Sequence, residues 1–146
     1  MAEAVARAQL AEAGLSGTVV ADSAGTGDWH IGQRMNLGAR TQLSRAGYDG
    51  DSHRARQFDP SWLAERDLIV AMDNSNFKFL HSLVRTNSAD SHRIRLFGDL
   101  TDLGGADVPD PYGGDPAAFA QVLAMLESAM PALIGQIAEA LRATAP

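Results

Sequence analysis

The sequence predicts an α/β domain of three layers, α/β/α, with a small, mostly parallel sheet covered by helices on both faces. Three observations lead there. Helix-like and strand-like stretches alternate along the chain, as they do where crossover helices join parallel strands. The stretch Asp67-Leu68-Ile69-Val70-Ala71-Met72 is almost continuously apolar, as a strand buried on both faces must be. Residues 22–27 and 73–76 are short loops of small and acidic residues at strand ends, where sheets of this kind hold ligands.

In chain order, residues 2–13 are strong helix formers, with Val5, Ala8 and Leu10 toward one side and Gly14 as the stop. No Ser, Thr, Asp or Asn precedes them, so this helix lacks a start signal. A domain of this class normally opens on a strand, and here the first element is a helix. Residues 18–21, apolar and β-branched, read as a short strand leading into Asp22-Ser23-Ala24-Gly25-Thr26-Gly27. Residues 36–46 read as a helix with Leu37 and Leu43 inward, ended by Gly47-Tyr48-Asp49-Gly50. A polar connection, Ser52-His53-Arg54-Ala55-Arg56-Gln57, and a helical turn at residues 60–63 precede the apolar strand 67–72. Asp73 caps a helix that runs to about Val84, and residues 93–97 are the last strand. Phe119, Val122, Leu123, Leu126, Met130, Leu133, Ile134, Ile137 and Leu141 recur at three-or-four spacing, which predicts a long amphipathic C-terminal helix.

At 146 residues the chain reads as one domain over 1–146, able to bury about two thirds of its unfolded surface. No stretch approaches the roughly 18 apolar residues of a membrane helix. The first residues carry an acid and no basic run, which points to the cytoplasm. Twelve Lys and Arg against eighteen Asp and Glu give a net charge of −6, so the overall field repels nucleic acid, and an anionic substrate needs a local positive site. There is no cysteine. Disulfides, thiolate metal sites and a cysteine nucleophile are thereby excluded from these residues.

One stretch stands out chemically: Val108-Pro109-Asp110-Pro111-Tyr112-Gly113-Gly114-Asp115. Two prolines stiffen the backbone on either side of Asp110, glycines let the chain turn, and Asp115-Pro116 reads as an N-cap and first helical residue. By itself it is a loop entering a helix. His30, His81 and His92 are scattered without ligand spacing and read as surface or packing residues, so no metal is expected. Arg54 and Arg56 read as solvated or ion-paired.

Taken together and in order, Asp22-Ser23-Ala24-Gly25-Thr26, Ser52-His53-Arg54-Ala55-Arg56-Gln57, Met72-Asp73-Asn74-Ser75-Asn76 and Asp110-Pro111-Tyr112 make the chain resemble the low-molecular-weight protein tyrosine phosphatases. The resemblance implies hydrolysis of phosphotyrosine through a cysteinyl phosphoenzyme, with no cofactor. It assigns Asp110 as general acid, Trp29 and Tyr112 as walls of an aromatic cleft, and Ser23 and His53 as braces of a phosphate loop. The family's usual second tyrosine is replaced here by Gly113. The family's first central strand and its Cys/Arg phosphate loop have no counterpart, and Met1-Ala2-Glu3 matches the tail of that loop's signature. The chain alone is therefore expected to be inactive, its substrate class being a phosphotyrosine protein or small aryl phosphate. A non-catalytic, phosphatase-like binding protein is the alternative. A related arsenate reductase is disfavoured because its chemistry needs several cysteines.

Overall fold

The computed structural model describes residues 1–84 and 89–145. Its elements are α1 (Ala2–Glu12), α2 (Leu37–Arg45), α3 (Trp62–Glu65), β1 (Ile69–Ala71), α4 (Asn74–Leu83), a 3₁₀ turn (Ala89–Arg93), β2 (Ile94–Leu96) and α5 (Pro116–Thr144). The two strands run parallel, pairing Ile69 with Ile94, Val70 with Arg95 and Ala71 with Leu96. Successive side chains of β1 leave by opposite faces, as the strand period requires. Ile69 and Ala71 join Leu63 of α3, Leu80 of α4 and Ile94 in one buried cluster. Leu68, Val70 and Met72 pack on the other, which holds Val5 and Leu10 of α1, Leu43 of α2, Phe97 and the apolar side of α5. The sheet is thus covered on both faces, as the continuous apolar run at 67–72 requires.

The helices end where their residues say. Gly14 takes φ +72 and stops α1 in the left-handed region that favours glycine. Asn36, Asp73 and Asp115 cap α2, α4 and α5, their side chains accepting from the N–H groups of Gly38, Asn76 and Ala118. α5 spans 29 residues and is long and apolar enough by composition to cross a bilayer, so the expectation that no stretch approaches that threshold is corrected. Here Phe119, Val122, Leu126, Met130 and Ile134 bury that apolar side in the core.

Residues 18–21 correct a second expectation. Thr18 and Val19 close a turn, both donating their N–H groups to the Leu15 carbonyl, residues 19–21 form no strand, and no backbone hydrogen bond joins 18–21 to β1 among the described residues. Val19 and Ala21 pack on the core while Val20 is 89% exposed, so the alternation of a strand is present without a ladder. A strand needs a neighbour to pair with, and composition cannot supply one.

Candidate active site

The Asp110 loop is fixed to the carboxyl end of β1. Val108, buried, donates its N–H to the Met72 carbonyl at 2.8 Å. The Asp107 carboxylate accepts from the backbone N–H and side-chain Nδ2 of Asn74, at 3.1 and 2.9 Å, where α4 begins. Beyond that anchor the chain emerges into solvent. Asp110 is exposed and its Oδ1 accepts the Tyr112 N–H at 3.0 Å, an Asx turn that holds the carboxyl and the aromatic in fixed relation. A stiff loop at the end of a buried strand is what aims an acid.

Tyr112 and Trp29 are 63% and 73% exposed, more open than half-buried aromatics. The Tyr112 ring lies 5.5 Å from that of His30, the residue after Trp29. The Trp29 indole lies over Gly27, where a Cβ would collide with ring carbons. His30 Nδ1 in turn sits 3.1 Å from Gln33 Oε1. The Trp29 and Asp110 loops therefore meet through His30, which the sequence offered only as a surface or packing residue.

Ser23 and His53 converge on one carboxylate. The Ser23 hydroxyl donates to Glu3 Oε2 at 2.5 Å, and His53 Nδ1 lies 3.5 Å from the same oxygen. Arg7 closes the group at 2.8 Å from Glu3 Oε1, one helical turn along α1. Burial holds the His53 pKa below the ordinary histidine value, with the Glu3 carboxylate pulling the other way. Glu3 as the common partner was missed from sequence. The available signal was its spacing from Arg7, which places both on one face of α1. A pocket of about 290 Å³ opens beside this group, lined in part by Glu3, Arg7, Tyr48, Asp49, Ser52 and His53. It does not reach Asp110, Trp29 or Tyr112.

Residues 54–58 stitch these loops to one another. Arg56 donates from Nε to the Ser23 carbonyl at 2.9 Å and pairs with Asp22, which also pairs with Arg66. Both guanidinium groups lie 5.0 Å from the ring centre of Trp62. The Gly25 N–H donates to the Arg56 carbonyl and the Phe58 N–H to the Gly25 carbonyl, each at 2.8 Å. The Gly32 N–H donates to the Ala55 carbonyl at 2.7 Å. Arg56 is thus ion-paired, whereas Arg54 donates to the carbonyls of Asp51 and His53. Asp73 acts as the N-cap already described. Among the described residues no three His, Asp or Glu side chains converge as a metal site requires.

The arrangement offers a carboxyl on a stiff loop, two open aromatics, and a hydroxyl and an imidazole gathered on Glu3, but no thiolate, since the chain holds no cysteine. The family model described as low molecular weight phosphotyrosine protein phosphatase matches residues 1–143. A low molecular weight protein-tyrosine-phosphatase of Streptomyces coelicolor is 40% identical over 141 residues, 95% of this chain and 85% of the relative. The low molecular weight protein-tyrosine phosphatase A of Mycobacterium tuberculosis is 38% identical over 146 residues, covering all of this chain and 88% of its own. Among solved structures, a protein tyrosine phosphatase from Entamoeba histolytica with Hepes in its active site superposes with a TM-score of 0.87 at 32% identity, over 95% of this chain and 88% of the other.

Proposed function

Because the chain belongs to the low molecular weight phosphotyrosine protein phosphatase family, we propose that residues 1–146 form one domain carrying the leaving-group side of a tyrosine-phosphatase site. Asp110 is its general acid. In the reaction so read, a cysteine thiolate attacks the phosphorus of phosphotyrosine and the bond to the phenolic oxygen breaks. The departing phenolate takes its proton from Asp110. Water then attacks the cysteinyl phosphate, giving up a proton to the Asp110 carboxylate and releasing phosphate and free thiolate. Trp29 and Tyr112 flank the ring, and Ser23 and His53, gathered on Glu3, brace the loop that binds the phosphoryl oxygens. The thiolate must come from outside these residues, which hold no cysteine, and the resemblance sets the arginine clamp on the same loop as that thiolate. The 146 residues alone are expected to hydrolyse nothing.

The observation that carries this reading is the Asp110-Pro111-Tyr112 turn, held to the carboxyl end of β1 by the Val108 and Asp107 hydrogen bonds. The complete lack of cysteine favours a second reading, a binding protein without turnover. One experiment separates them: the intact mass of the protein as its host makes it, together with its hydrolysis of an aryl phosphate. The first reading expects a mass above 15.5 kDa and a rate that falls by about 10²-fold or more in Asp110→Asn. A mass of 15.5 kDa without turnover selects the second. Turnover that is unaffected by Asp110→Asn removes Asp110 from the chemistry.

A further inference from the structure

We propose that the surface beside Tyr112 holds a binding position for an uncharged, aliphatic side chain next to the phosphotyrosine of a substrate peptide; this rests on the reading of the Asp110 loop just given. A pocket of about 250 Å³ lies between the start of α2 and the turn before α5, lined by Asn36, Gly38, Gly113, Gly114, Pro116 and Phe119. None of these side chains is charged. Gly113 follows Tyr112 directly, so the pocket begins one residue, about 3.8 Å of backbone, from the Tyr112 Cα. A peptide whose phosphotyrosine ring lies against Tyr112 has its neighbouring side chain within reach.

The space exists because of particular glycines. Gly113 has φ +79 and nothing within 4 Å of where a Cβ would stand, so no side chain of this protein fills the position next to Tyr112. On the facing wall a Cβ at Gly38 would come within 2.7 Å of the Phe119 ring. Glycine there lets α2 ride directly on Phe119. Two residues adjoining the pocket lining in sequence are themselves exposed and apolar: Tyr112, before Gly113, and Leu37, before Gly38, which the sequence pattern predicts to face inward.

Charge decides what enters. The exposed Asp110 and Asp115 stand at either end of the Tyr112–Gly114 turn, and no cation lines the pocket. An acidic side chain would lose hydration there without gaining a partner, while an aliphatic one gains burial. The occupant is therefore Leu, Ile or Val adjacent to phosphotyrosine, and Asp or Glu at that position is rejected.

The test compares kcat/KM of the host-made protein for para-nitrophenyl phosphate and for phosphotyrosyl peptides that differ only in carrying Leu or Glu before or after the phosphotyrosine. Leu is expected to be preferred to Glu on one side by about tenfold or more. Pro116 stands at the first turn of α5 on the pocket wall, so Pro116→Lys should bring that ratio toward unity or invert it. Pro116→Glu, whose carboxylate suits a helix N-terminus, should widen it. Peptides turned over within twofold of each other while para-nitrophenyl phosphate is hydrolysed overturn the pocket and leave the Asp110 reading standing. A Leu preference that either folded variant leaves unchanged also overturns it. No hydrolysis of any of these substrates overturns both.

Discussion

Glu3 joins separate parts of this fold through one side chain. Its carboxylate gathers Ser23, His53 and Arg7, and the residues it joins come from α1, the loop after residues 18–21 and the polar connection before α3. Ser23 is 20 positions away in sequence, which is why the group was not legible: local patterns report neighbours within a turn or two. The Asp110 loop was legible for the opposite reason, since its prolines and glycines state their backbone requirements locally. The half-buried His53 gives the Glu3 group a pH signature. Because the folded-state pKa of His53 lies below its unfolded value of 6.5, the unfolded chain binds more protons between the two. The contribution is complete above about pH 6.5 and is lost as pH falls through the folded pKa. The thermal midpoint of the host-made protein should therefore decline from pH 7 toward pH 5, and His53→Gln should flatten that decline. Parallel midpoint curves for the two proteins would exclude His53 as its source.

At the scale of elements, caps and turns carried over from sequence almost intact. Asp115 and Pro116 start α5 as their residue types require, and Asp73 starts α4. The Asp115 carboxylate accepts the Ala118 N–H at 2.9 Å, satisfying one of the first-turn donors. In the host-made protein Asp115→Ala should cost about 1 kcal/mol and lower the midpoint by about 2–4 °C, measured by calorimetry against Asp115→Asn, which retains an acceptor and should lose less. Equal losses in the two would place the effect in charge instead of capping. The 3₁₀ turn Ala89–Arg93 was not foreseen, because its polar residues follow no period. Its hold is tertiary: Arg93 donates to the carbonyls of Leu63, Ala64 and Arg66 at the end of α3. The strand expected at residues 18–21 failed on the same ground, since pairing is decided by a neighbour and not by β-branched composition.

For the molecule as a whole, the question is whether two short parallel strands can hold three layers together. β1 has a ladder on one side only, with β2, and among the described residues its other edge receives no strand. Val20, 89% exposed just after the turn at Thr18, shows apolar surface that the layered fold leaves uncovered. Parallel pairs are the weaker kind, and a two-stranded sheet by itself is marginal. What remains is the packing of α1, α2 and α5 around Phe97, Leu126 and Met130, a helical core that does not satisfy strand edges. An open edge beside apolar surface is also a template for pairing between chains. The isolated 146 residues should therefore melt without a sharp transition or associate as they warm, seen by calorimetry together with light scattering. A peptide able to pair with β1 should sharpen the melt and suppress association. Monomeric protein with a cooperative midpoint in the ordinary range of about 45–65 °C would show instead that the helical core alone holds the sheet in place.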